Sequence, residues 1–294
     1  MKRILIYFFF DVDGIVDRYV PYLLKRIVPF CERILIVSNG KLTNEGRTLL
    51  HDITPEVLER KNEGFDVWAY KDAMDFVGWE NLIEYDELIL MNYTIMGPVY
   101  PLSEMFDAMD KHPELDFWGV TKCFRVDSAK AQEKWRCPYG YSPEHIQSSF
   151  TAFRKSLVMS NVFQTYWKEL PAIRSYNESG GRHEQFITKY FEDNGFRWDC
   201  YTDFRELHTG YYGDAPLITM PLDVIRDLRS PFFKRRSFFL TRKELPLPIP
   251  AMYELVEYLK SETDFDLSVL YENLIRTCNQ RDLLSSLLPV HIVE

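Results

Sequence analysis

Ile4-Leu5-Ile6-Tyr7-Phe8-Phe9-Phe10, followed at once by Asp11-Val12-Asp13-Gly14, is the stretch on which the fold turns. Its apolar run is too short for a signal core or for a membrane span, which needs about 20 such residues, and Asp11 ends it. It reads as a buried first strand that opens into a polar loop. Downstream, Arg33 to Val37 is a second strand leaving through Ser38-Asn39-Gly40, Glu56 to Arg60 a third, and Glu87 to Met91 a fourth, closed by Asn92. Helix-period stretches separate them at Tyr19 to Phe30, Asn44 to His51 and Phe65 to Phe76. Strands alternating with amphipathic helices predict βαβ units and a mostly parallel sheet flanked by helices.

Beyond the fourth strand the pattern predicts a helix capped by Ser103 and running to Met109, then a strand at Leu115 to Val120. Residues 121–144 read as a long active-site loop, since loops of that length are uncommon without function. Ser149 to Arg154 is a strand, Val162 to Glu169 a helix, Glu184 to Asp193 a helix starting after Gly180-Gly181, and Arg197 to Asp203 the last strand. From about residue 215 the character changes. Pro216, Pro221 and Pro231 interrupt the chain, Lys234-Arg235-Arg236 is basic, and Pro246, Pro248 and Pro250 form a stiff linker before two helix-period segments at 251–287. The expected division is an α/β domain over residues 1–215 and a C-terminal helical extension over 216–294.

Composition narrows the function. The 294 residues carry a net charge of -9, which excludes general nucleic-acid binding, because phosphate-tracking proteins need a positive surplus. Five cysteines without a CxxC pair point to a reduced, cytoplasmic setting rather than a disulfide frame or zinc site. Aromatic residues make up 15% of the chain, an abundance suited to a core and to sugar or nucleobase pockets. With no candidate spanning helix, contact with a lipid-linked substrate would occur at the membrane surface.

In open α/β sheets ligands lie at the carboxyl ends of the strands. Asp11, Asn39, Asn62, Asp66, Asn92, the His145/Gln147 pair and the His183/Glu184 pair fall at such positions. Phe10-Asp11-Val12-Asp13-Gly14 with Val37-Ser38-Asn39-Gly40 resembles the opening motifs of haloacid-dehalogenase-type phosphatases, in which the first Asp is the nucleophile. That reading also demands a later strand ending in paired carboxylates for Mg²⁺, and Leu88-Ile89-Leu90-Met91 ends in Asn92-Tyr93 instead. Glu184, backed by the apolar face of Phe186, Ile187, Tyr190 and Phe191, is placed to take a proton from an attacking hydroxyl; the alternative is a carboxylate that only complements a helix dipole.

A larger resemblance spans nearly the whole chain. Phe10 to Asp17, Ile36-Val37-Ser38-Asn39, Arg60-Lys61-Asn62-Glu63-Gly64-Phe65-Asp66-Val67-Trp68-Ala69-Tyr70-Lys71 and Asp86 to Asn92 carry it. Gly97-Pro98, Asp116-Phe117-Trp118-Gly119, His145-Ile146-Gln147-Ser148 with Phe153-Arg154-Lys155, and Pro231-Phe232-Phe233-Lys234-Arg235 continue it in order. Together these resemble the rhamnan synthesis protein F family. The resemblance implies a GT-A-like fold and an inverting transfer of rhamnose from a dTDP-sugar to a lipid-linked glycan of a cell-surface polysaccharide, on the cytoplasmic face of the membrane. It implies donor contacts from Asp11, Asn39, Asn62, Gly64, Asp66, Asn92, Lys234 and Arg235, acceptor contacts from His145, Gln147 and His183, and Glu184 as the base.

One departure bears on the chemistry. Where the family usually has Asn-Asp-Ser, with an Asp for a divalent metal, this chain has Asn92-Tyr93-Thr94, and a neutral Tyr cannot replace a carboxylate on a hard cation. Three expectations stay open: a metal-independent enzyme whose Lys or Arg neutralises the diphosphate, a Mg²⁺ or Mn²⁺ held by His208 and another carboxylate, or a glycan-binding member without turnover.

Overall fold

Arg3–Phe10 (β1) lies at the centre of the sheet and is buried on both faces as far as Phe9. It pairs in parallel with Arg33–Asn39 (β2) and, on its other side, with Glu87–Asn92 (β4), while Val57–Arg60 (β3) extends the parallel set beyond β2. The computed structural model describes residues 1–207, 215–239 and 252–287. After the short Ile95–Met96 (β5) come Phe117–Cys123 (β6), His145–Ile146 (β7), Phe150–Arg154 (β8) and Trp198–Thr202 (β9). Among the described residues the main sheet has eight strands in the order β3-β2-β1-β4-β8-β6-β7, with β9 on β6. Only β7 and β8 run against the others, which gives the mostly parallel, helix-flanked GT-A-like architecture that the sequence predicts.

The helices follow from local chemistry. Asn44–His51 starts where the Thr43 hydroxyl accepts the Gly46 amide at 3.0 Å, and Asn161–Lys168 where Ser160 accepts the Phe163 amide at 3.1 Å. Three expectations need correction. The helix before β6 begins at Leu102 after Pro101, whose fixed φ suits a helix entry, so Ser103 lies inside the first turn rather than capping it. Residues 121–144 are not all loop: Ser128 caps a helix over Ala129–Trp135. Gly180-Gly181 does not break the chain ahead of a new helix. Tyr176–Ser179 passes through a π turn, Gly180–Glu184, straight into Gln185–Asp193.

The C-terminal segments pack on the same core. Phe233–Lys234 (β10) pairs antiparallel with β5, and Leu255, Leu259, Val269, Leu270 and Leu274 join the cluster that contains Leu5 and Tyr7. Helix Leu267–Thr277 docks through Arg276, which donates to Asp17 at 2.7 Å and to Asp11 at 2.6 Å, and through Asn273, which donates to Asp17. The residues around Pro246 to Pro250 lie outside the described part of the chain.

The amino-terminal ends of the parallel strands are closed by a buried ionic cluster. Glu87, fully buried, accepts from Arg3 Nε at 2.7 Å and from Trp118 Nε1 at 2.7 Å, and Arg3 Nη2 also reaches Asp110 at 2.6 Å. Arg154 Nε stands 3.0 Å from Glu87 off the line of a hydrogen bond, so that pair is held by charge. Removing one member of a buried pair strands the others, at a cost of about 3–5 kcal/mol. Glu87→Ala is therefore expected to lower the calorimetric melting temperature by roughly 10 °C. An unchanged melting temperature would mean that the cluster contributes nothing.

Candidate active site

The opposite, carboxyl ends of β1 and β4 open into a cleft of about 1180 Å³. That exceeds the roughly 300–1,000 Å³ of a site for one drug-sized ligand, so two reactants fit. β1 and β4 are adjacent strands at which the strand order reverses, the switch point at which open α/β sheets bind ligands. Phe8, Phe10 and Tyr93 form the apolar floor, and Trp135 and Tyr176 stand on one side with their rings 5.8 Å apart.

Asn62, Asp66, Asn92, His145, Gln147, Glu184, Lys234 and Arg235, all singled out by sequence, line this cleft. The others are placed differently. Asn39 is buried behind the lining and donates to Asn62 Oδ1 at 3.2 Å and to the Phe65 carbonyl at 3.0 Å, so it supports the turn that presents Asn62 and Asp66. Gly64 enters helix Phe65–Val77 with φ of 72°, a left-handed conformation that favours glycine, and Trp68 leaves no room for a Cβ there. Asp11 does not line the cleft. Its Oδ1 accepts the Asp13 and Ile15 amides at 3.0 and 3.1 Å and its Oδ2 meets Arg276. Burial tends to raise the Asp11 carboxyl, but Arg276 and the two amides outweigh it and hold it below the ordinary range. With both oxygens engaged, Asp11 is a poor fit to a phosphoryl-accepting nucleophile. His183 is buried against Tyr166, its Nδ1 2.7 Å from the phenol oxygen, and burial lowers its pKa to about 3. It backs the π turn rather than facing a ligand. His208 lies outside the described residues.

Glu184 closes the π turn, a distortion of the helix that recurs at functional sites. Its carboxylate accepts a hydrogen bond from Ser148 and lies near enough to Asp66 and Lys234 to act on their charges. In the same lining a relay runs from Lys234 Nζ to Thr94 Oγ1 (2.7 Å), from Thr94 Oγ1 to Asn92 Oδ1 (2.6 Å), and from Asn92 Nδ2 to Asp66 Oδ2 (3.1 Å). Burial raises the Asp66 carboxyl; the Asn92 bond opposes this and Glu184 adds to it. His145 Nδ1–H donates to the Pro143 carbonyl at 2.7 Å. Gln147 and Gln185 are buried, and among the described residues their Oε1 atoms meet no donor. An unmet buried acceptor costs about 1–3 kcal/mol, so both suit the hydroxyl donors of a sugar.

The end of β4 does not fit Mg²⁺ or Mn²⁺. Asn92 Oδ1 is taken by the Thr94 amide and hydroxyl, the Asn92 amide occupies Asp66, and a lysine ammonium stands beside Thr94. A hard cation of this kind asks for about six oxygen ligands. Among the described residues no three carboxylate, imidazole or thiol groups gather.

Thr94, Ser148, Gln185, Trp135 and Tyr176 are site residues that the sequence reading did not single out. Only Gly180-Gly181 hints at one of them: a Cβ on Gly181 would sit 1.7 Å from the Trp135 carbonyl, and one on Gly180 2.5 Å from its ring. The glycine pair is what lets Trp135 reach the cleft. Gly181→Ala is expected to push Trp135 away, destabilise the fold by about 1–3 kcal/mol and shift the tryptophan fluorescence maximum. A wild-type emission spectrum in the variant would show that the contact is not needed.

The cleft thus lies at the switch point of a mostly parallel sheet, lined by the carboxylates of Asp66 and Glu184 and the cations of Lys234 and Arg235. The model of the family described as rhamnan synthesis protein F matches residues 34–294, and this chain belongs to that family. It is 26% identical over 163 residues to an uncharacterized protein of Sinorhizobium fredii, a match covering 55% of this chain and 39% of that protein. The chain thus spans about two fifths of that curated relative's length. Among solved structures it is similar to CMP:2-keto-3-deoxy-manno-octonic acid synthetase complexed with CTP, with a TM-score of 0.40, 13% identity and coverage of 78% of this chain and 98% of that one. Glucosyl-3-phosphoglycerate synthase from Mycobacterium tuberculosis, in complex with phosphoglyceric acid, gives 0.35, 11%, 53% and 58%. Among the described residues no helix is long and apolar enough to cross a membrane.

Proposed function

We propose that this chain is an inverting glycosyltransferase that moves rhamnose, or a related deoxysugar, from a dTDP-linked donor to a hydroxyl of a lipid-linked glycan in polysaccharide synthesis. Family membership supports the reaction class. The observation that carries the mechanism is the Glu184 carboxylate, held by Ser148 in the lining of the cleft and close enough to Asp66 and Lys234 to act on their charges. The aromatic floor takes the flat faces of the base and sugar, and the unmet oxygens of Gln147 and Gln185 accept sugar hydroxyls.

In this reading the acceptor hydroxyl passes its proton to Glu184 while its oxygen attacks the anomeric carbon. The new C–O bond forms as the bond to the diphosphate breaks, and the departing nucleoside diphosphate takes the electron pair. A single displacement inverts the anomeric configuration and leaves no covalent sugar on the protein. The lipid-linked acceptor would be met from the cytoplasmic side of the membrane, with the exposed Arg236 beside the cleft mouth available to anionic headgroups.

Glu184→Gln keeps the size of the side chain and removes the base. Nucleoside-diphosphate release in the presence of acceptor is expected to slow by a factor on the order of 10²–10⁴, with donor affinity changed by less than about threefold. Turnover equal to wild type would reject Glu184 as the base.

A further inference from the structure

We propose that Lys234 stands in for the divalent cation: its ammonium, with Arg235 beside it, holds the donor's diphosphate, so nucleotide binding needs no metal ion. The inference rests on the reading of the donor as a nucleoside-diphosphate sugar, and it goes further by assigning the charge that the diphosphate meets.

The backbone puts Lys234 in one place. Lys234 pairs with Ile95 in the two-stranded sheet, and the Arg235 amide donates to the Thr94 carbonyl at 3.1 Å. The lysine is thereby clamped to the residues that directly follow β4, at the carboxyl end of the central strands. Between β4 and Thr94 stands Tyr93, whose ring packs edge-on against Phe8 and Phe9 at centroid separations of 5.8 and 5.7 Å and supports Arg235 at 5.3 Å. The neutral side chain at this position, which cannot ligate a hard cation, thus seats a second cationic side chain.

The polar groups are oriented to match. Hydrogen bonds run from Lys234 to Thr94, from Thr94 to Asn92 and from Asn92 to Asp66, so Asn92 Oδ1 and Asp66 Oδ2 are already used and the positive end of the relay faces the cleft. Nζ has three N–H bonds, and Thr94 takes one. Lys234 is 9% exposed, and among the described residues no carboxylate forms an ion pair with it; Glu184 and Asp66 act on it only through space. A buried ammonium without a contacting anion is costly and is suited to an anion that arrives with the ligand. Burial draws its pKa down to about 8, against the pull of Glu184 and Asp66. It is therefore charged at neutral pH and discharges within reach of ordinary buffers.

The test is calorimetric titration of the full chain with dTDP, UDP and thymidine, in excess EDTA and in excess MnCl₂. The diphosphate that binds is expected to do so with equal affinity in both media. Lys234→Met should weaken it by a factor of about 10–100 while thymidine binding stays as in wild type, and Lys234→Arg should restore most of the loss. In the wild type, affinity should fall as pH rises through about 8, the range in which the ammonium is lost, and the Arg variant should stay level there. Diphosphate binding that appears only with Mn²⁺, or a Met variant as tight as wild type, overturns the role of Lys234. A chain that binds neither diphosphate in either medium rejects the donor assignment itself. Should Lys234→Met fail to fold, the EDTA comparison and the wild-type pH profile still decide the matter.

Discussion

A buried ammonium that, among the described residues, has no carboxylate in contact is the constraint around which this cleft is arranged. Lys234 sits at the carboxyl end of the central strands, held by Thr94 and, through it, by Asn92 and Asp66. Taking a charge out of water without a paired partner is among the more costly things a fold can do. Here two backbone devices hold it there, the β5–β10 pairing and the Arg235-to-Thr94 hydrogen bond. Such strain is typical of sites prepared for a ligand of opposite charge, because electrostatic stabilisation works best when its groups are oriented beforehand.

The two ends of the sheet divide the work. At the amino-terminal ends Glu87 meets Arg3, Arg154 and Trp118, and the buried charges there satisfy one another. At the carboxyl ends the balance is left open: among the described residues Lys234 has no carboxylate in ion-pair contact, and the amide oxygens of Gln147 and Gln185 meet no donor. The C-terminal segments take part in both fold and site. β10 carries Lys234 into the cleft, while Arg276 ties the Asp11 loop to helix Leu267–Thr277. The motif that resembles a phosphatase nucleophile is in this chain an anchor for the last third of the sequence.

Much of the frame was legible because its strands are nearly uncut apolar runs. Ile4 to Phe10 and Glu87 to Met91 read as strands and are strands to within a residue, and Asn44–His51 matches its expected bounds under a Thr43 cap. Helix Ala129–Trp135 was not legible, because none of its residues is buried and no apolar period marks it. Gly180-Gly181 looked like a break since glycine is a poor helix former, whereas a close approach by Trp135 requires it. Within the site, Glu184, Asp66 and Lys234 were nameable from position and resemblance. Their relation was not, because Lys234 reaches Thr94 across 140 residues of chain and only the folded sheet brings them together.

In the proposed function one cleft holds the diphosphate at Lys234 and presents the sugar to Glu184. A crystal structure with a bound nucleoside-diphosphate sugar tests it most directly. A phosphate oxygen is expected about 3 Å from Lys234 Nζ, and the anomeric carbon is expected to face the Glu184 carboxylate with room for one hydroxyl between them. A diphosphate seated away from Lys234, or a sugar whose anomeric carbon turns from Glu184, would contradict it.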